Sequence, residues 1–466
     1  MAKETQTTWA SKILYFLLCA TVIFTTVAYG AVHQPIIAIF YLIAVMVVLL
    51  WAFDAFSTGV LRFNKSLLQI PLIAAFLYGI LQIIPFGSLA ETAGVAGIPR
   101  TISFHPFATQ VSALHFLAFS IFFAAYLTYV DSANRLRKTV YVITIFGFVF
   151  AFFAILQAVL SPNKIYGIYE PRFAVPFGSF VNRHNFAAYM EMTLALPLGL
   201  MFVGAVGRDK RLIYITAIGL MGIALLLSGS RGGFVSLLAE IFFLVILTTK
   251  TKSSAQMAVK ISFAVLLMAV IVFGAILIGG ESSLTRFAET ASSKDFSTNR
   301  THIWSVTLSI IKNTLPFGAG LGAFGAAYTP YDSLSGLERV EQAHNDYLQV
   351  LADAGIVGLL LGAFFIYELF KTGLENAKTS NKFRRGIAVG ALAGCFAILV
   401  HSLFDFVLHI TAVAMLFITL ASLVVVSGGE FADDDVEGQQ IRHKKRRAAS
   451  VTAIEEKRKK LAVNDI

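Results

Sequence analysis

The chain has 466 residues, of which 57% are apolar and 14% charged, against about a quarter charged in a soluble domain. A formal charge of +10 and a mean hydropathy of +0.75 exclude an ordinary soluble enzyme. They assign the basic excess to the loops of a polytopic membrane protein rather than to a nucleic-acid surface. The two cysteines, Cys19 and Cys395, both fall in apolar runs, which argues against a disulfide framework or a zinc site.

Apolar runs of bilayer length, each about 20 residues, predict twelve spans in chain order. They are 13–31, 36–53, 67–85, 112–130, 139–160, 186–206, 212–228, 233–249, 260–279, 347–370, 386–405 and 408–427. The first follows Lys12 and is read as an uncleaved helix rather than a signal peptide, because it is long enough to span. The fold class is therefore all-α. Residues 1–427 make one transmembrane domain, and 428–466 a polar cytoplasmic tail expected to be disordered.

Lys and Arg sort unevenly between the two sides of these spans. Of the 37, 27 fall on the side that holds both termini, including Arg62 and Lys65, Arg135 to Lys138, Arg208 to Arg211, and Lys371 to Arg385. That side is expected to be cytoplasmic. One loop on the other side, 280–346, is far longer than the rest, and such loops usually carry structure or function. In it Ile303, Trp304, Leu308, Ile311 and Leu315 recur at helical spacing, predicting an amphipathic helix over 299–315 that lies on the outer leaflet as a lid. Thr298 or Asn299 is the expected cap, and Pro316 with Gly318, Gly320 and Gly322 the stop.

Three polar stretches fall on the outer side: 228–233 (Ser-Gly-Ser-Arg-Gly-Gly), 298–301 (Thr-Asn-Arg-Thr) and 343–349 (Ala-His-Asn-Asp-Tyr-Leu-Gln). Even-numbered spans begin on that face, so their free N–H groups point there beside Arg231 and His344. Arg300 in the first turn of a helix is disfavoured by the dipole unless an anion lies between it and the amides. Glycines beside Arg231 would let a ligand approach the backbone. The set reads as a cradle for an oxyanion or pyrophosphate, with Arg suited to bidentate contact. Ser230, Arg183, Asn185, Asp346, His401 and Asp405 are candidate pocket residues. His401, Asp405 and His409 are expected to hydrogen-bond one another and close the last hairpin. Glu240, near mid-span, has no evident partner.

The run 227–233, Arg300 with Trp304 and 316–320, and above all 344–348 followed by 355–359, resemble the bacterial O-antigen ligase and polymerase superfamily. The likeness covers roughly residues 180–425. It implies an inverting glycosyltransferase, using neither metal nor cofactor, in the bacterial inner membrane with a periplasmic active site. The donor would be an undecaprenyl-pyrophosphate-linked glycan, and the acceptor lipid A-core or another glycan. Carried over by motif, Arg231 and Arg300 hold the pyrophosphate. His344 is the catalytic base on the acceptor hydroxyl, with Asp346 or a carbonyl fixing its tautomer. A ligase is the favoured reading and a repeat-unit polymerase the alternative. A transporter or lipid-carrier flippase is the rival from another class, and it would place its charges near the midplane. Membrane lipids are expected partners and nucleic acid is not.

Overall fold

The computed structural model describes residues 8–88, 96–249, 254–292, 300–333 and 339–429; the tail beyond 429 and the expected caps Thr298 and Asn299 lie outside them. Among the described residues the regular structure is helical. The helices are α1 (Trp9–Val27), α2 (Gln34–Thr58), α3 (Gln69–Ile83), α4 (Pro106–Tyr129), α5 (Ala133–Leu160), α6 (Arg183–Val203), α7 (Arg211–Leu227), α8 (Arg231–Thr248), α9 (Ser254–Ser292), α10 (Arg300–Thr314), α11 (Phe324–Tyr328), α12 (Asp346–Asn376), α13 (Lys382–His401) and α14 (Thr411–Val426). Ten helices among the described residues are long and apolar enough to cross a membrane, and the shorter apolar helices α3 and α14 occupy the two remaining predicted runs.

Several helices start earlier than hydropathy indicates, because polar caps add a first turn. His105 caps α4 by accepting from Ala108 N at 3.0 Å, and Ser132 caps α5 by accepting from Arg135 N at 3.2 Å. Helix α9 is the largest extension: its 39 residues rise about 58 Å, well beyond the ~30 Å core of a bilayer.

The centre of the bundle is the crossing of α6 and α13. In α6, 89% of the apolar window is buried, against 17% in α2 at the periphery. Gly386, Gly390 and Gly394 recur every fourth residue on α13 and form one stripe. A Cβ at Gly199 of α6 would sit 2.4 Å from Gly390 Cα and 2.6 Å from the Gly386 carbonyl oxygen, so the two backbones touch. Close packing of this kind holds helices together in lipid, where the hydrophobic effect between them is lost.

A second assembly centres on a break in α12. Helix α12 breaks at Gly355 (φ 59°, ψ −149°), and 316–322 runs beside the break. Ala319 N donates to Ala352 O at 2.8 Å, Gly320 N to Asp353 O at 2.9 Å, and Ile356 N to Pro316 O at 3.0 Å. From α3, Gln82 Nε2 donates to the carbonyls of Phe317 and Asp353 at 3.0 Å, and its Oε1 accepts from Leu321 N at 2.9 Å. The unpaired backbone groups of a broken helix are thus satisfied inside the protein, as a membrane requires.

The predicted helix over 299–315 is α10, but its buried face differs from the expected one. Val306, Thr307, Ile310 and Ile311 are buried, whereas Leu308 and Leu315 are exposed. Thr307 can take an inward place because its hydroxyl donates to Ile303 O at 2.7 Å. A periodicity count that scores only apolar residues misses such a position.

Candidate active site

Three segments converge at the end of the bundle where α6, α8 and α12 begin and α13 ends. Asn345 caps α12, its Oδ1 accepting from Tyr347 N and Leu348 N at 3.0 Å, while its Nδ2 donates to Leu403 O at 3.0 Å. The residue before it, His344, is held at φ +51°, a left-handed conformation that costs a non-glycine residue energy and tends to mark functional sites. Trp304 of α10 donates to Ala343 O at 3.0 Å and so ties that helix to the same segment.

Asp405, in the turn after α13, is 2% exposed and joins the pieces. Its Oδ1 lies 3.0 Å from His344 Nδ1, and its Oδ2 lies 3.1 Å from Arg300 Nη2. Arg300 also donates to the Phe404 carbonyl. The imidazole edge packs against Phe406 at 4.8 Å between centroids. Burial by itself would raise the Asp405 carboxyl. The hydrogen bond from His344, with the nearby His184, Arg300 and His344, overrides it and holds the group well below the usual carboxylate range. With Nδ1–H donated to an ionised carboxylate, the other ring nitrogen, Nε2, carries the lone pair.

The run 228–233 is built into the same wall. Ser230 caps α8, accepting from Gly233 N at 3.2 Å, and its hydroxyl lies 2.9 Å from His184 Nδ1. Arg231 is the first residue of α8 and Arg183 the first of α6; Arg183 reaches over Gly229, which adopts φ +67°. Asn185, one turn in, is buried.

Four expectations are revised by this geometry. Asp346 does not orient His344: its carboxylate accepts from Ser402 Oγ at 2.8 Å, Val407 N at 3.1 Å and Leu408 N at 3.2 Å, and pairs with His409 Nδ1 at 2.9 Å. It therefore splices α12 to the turn before α14, and Asp405 is the carboxylate on His344. Nor do the side chains of His401, Asp405 and His409 bond one another, since each has a different partner; only the backbone links two of them, Asp405 N donating to His401 O at 3.1 Å. His401 Nδ1 lies 3.1 Å from Glu191 of α6, a pairing that sequence reading missed although an acid in an apolar run is itself a signal. The glycines beside Arg231 serve packing: a Cβ at Gly232 would lie 2.8 Å from the His401 ring, and one at Gly233 2.7 Å from Ala187 Cβ. The anion that compensates Arg300 at a helix start is Asp405, from the protein itself. Glu240 stands apart, fully buried on α8 with neither carboxylate oxygen hydrogen-bonded among the described residues.

The helices and this Arg–Asp–His cluster at one end of the bundle define a polytopic all-α membrane protein with a charged site at a helix-terminal face. Residues 216–363 match the sequence model of the family described as O-antigen ligase, which supports placing the chain in the O-antigen ligase and polymerase superfamily. The matched stretch holds Arg231, Arg300 and His344 and ends before Asp405. No curated protein matches the chain.

Proposed function

We propose that the protein is an O-antigen-ligase-type glycosyltransferase, moving an undecaprenyl-pyrophosphate-linked glycan to a hydroxyl of lipid A-core at the periplasmic face. The observation that carries this reading is the sharing of Asp405 between His344 and Arg300. One carboxylate fixes the tautomer of a base and sets an arginine beside it.

His344 Nε2 takes the proton of the acceptor hydroxyl as its oxygen bonds to the anomeric carbon. The bond from that carbon to the phosphate oxygen breaks, its electrons leave with the lipid pyrophosphate, and attack from the opposite face inverts the centre. Pyrophosphate is a good leaving group, so Arg231, Arg300 and the N-terminal amides of α8 have only to stabilise the charge it gains. His344 supplies the one proton transfer, worth about 10²–10⁴-fold in rate.

The test uses purified full-length protein with an undecaprenyl-pyrophosphate-linked glycan and either lipid A-core or a second lipid-linked repeat as acceptor. Glycan attached to lipid A-core is expected. Lengthened lipid-linked glycan alone would make the enzyme a polymerase, and donor moved across vesicles without transfer would make it a transporter.

A further inference from the structure

The opposite end of the same helices holds a cavity of about 680 Å³ between the end of α6, the start of α7, the end of α8 and the first turns of α9 and α13. Arg211, Lys260, Lys382 and Arg385 line it, and among the described residues no acid does. None of the four is in an ion pair with a described carboxylate. The Arg385 Nε–H is buried without a hydrogen-bond partner among the described residues. Among the described residues Lys260 reaches one acceptor, the carbonyl of Thr248 at the end of α8. Lys382 and Arg385 stand in the first turn of α13, where the helix dipole disfavours cations. Every one of these features is relieved by a single anion with several acceptor oxygens.

Apart from Thr248, the rest of the wall is apolar. Ile215 of α7 and Val259 of α9 line the cavity and are 37% and 69% exposed, on helices apolar enough to cross a membrane. A soluble phosphate has no use for that surface, whereas acyl chains do.

We infer that this cavity binds an anionic phospholipid, with the headgroup phosphate among Arg211, Lys260, Lys382 and Arg385 and its chains against α7 and α9. The site is separate from the Arg300–Asp405–His344 cluster and independent of the proposed transfer. It makes the protein sensitive to the composition of the leaflet at that end.

Native mass spectrometry of the full chain, released from phosphatidylcholine nanodiscs with or without phosphatidylglycerol, reads the site directly. Retained phosphatidylglycerol in preference to phosphatidylcholine is expected. The K382Q/R385Q double variant should bind it on the order of thirtyfold more weakly, the loss of two interfacial cations, while K371Q/K378Q, outside the cavity, should bind normally. If the double variant is not recovered folded, the exposed single substitution K382Q should still weaken retention several-fold. Equal retention of the two lipids, an unchanged affinity in both cavity variants, or inorganic phosphate that stabilises the protein as well as phosphatidylglycerol does would each overturn the inference.

Discussion

Replacing Asp405 by Asn preserves the side chain's shape and removes the charge that two partners share. The expected result is a fall in turnover approaching that of His344→Ala, about 10²–10⁴-fold, because the imidazole loses the acceptor that sets its tautomer. Stability should fall as well, by about 3–5 kcal/mol for breaking a buried pair, measured by thermal unfolding of the purified protein. The pH dependence has a definite sign. Asp405 is held below the usual carboxylate range, so its contribution is present above that range and is lost only as pH falls through the depressed folded value. The stability difference between wild type and D405N should therefore stay constant through mildly acid solution and close only in strong acid. For Arg300, substitution by Lys keeps the charge but not the fork. Since one guanidinium reaches both the Phe404 carbonyl and Asp405, activity should drop even though net charge is unchanged. His344, Arg231 and Arg300 stand out in the sequence because charged and imidazole residues beside glycine or a helix start are rare in an apolar chain. The partner of His344 and Arg300 was not legible as such, since Asp405 lies 61 residues from the first and 105 from the second and local spacing carries no record of so distant a contact.

Helices α6 and α13 make a prediction of their own. A Cβ at Gly390 would meet the Ala195 carbonyl oxygen at 2.6 Å and Leu196 Cα at 3.1 Å, backbone atoms that cannot swing aside. Gly390→Ala should lower the unfolding midpoint and weaken both ends of the bundle together. Gly362→Ala on α12, where nothing lies within 4 Å, should be neutral or slightly stabilising, since alanine favours helix by about 1 kcal/mol. A smaller loss from Gly390→Ala than from Gly362→Ala would show that the stripe is not a contact surface. The existence of each membrane-length helix could be read from hydropathy, which averages over a whole run. Its edges could not, because caps such as His105 and Ser132 belong to the polar residues that the average discards.

At the scale of the whole molecule, the basic loops do more than set orientation. Arg62 pairs with buried Asp54 at 2.7 Å and with Asp131 at 3.0 Å, and Arg135 reaches Asp131 at 3.2 Å. This knits α2, the following loop and the start of α5 at one face of the bundle. The charge count sees only the sum of the cations. The pairs emerge once folding brings Asp131 beside Arg62, 69 residues away. Orientation itself is testable with cysteines in a protein otherwise lacking them. One placed at Ser305 on α10 should react with a membrane-impermeant reagent applied from the periplasmic side, and one at Ser380 should not. Labelling with the opposite pattern would turn the Arg300–Asp405–His344 cluster toward the cytoplasm and end the proposed reaction.

The position of Asp405 along the chain also bears on when the protein becomes competent during its synthesis. Arg231, Arg300 and His344 emerge first, and the carboxylate that organises the last two follows only after all of α12 and α13 have been made. A nascent chain halted before residue 405 lacks the carboxylate that His344 and Arg300 share. On the proposed function, the order of translation acts as a timer that holds transfer back until α12 and α13 have been made.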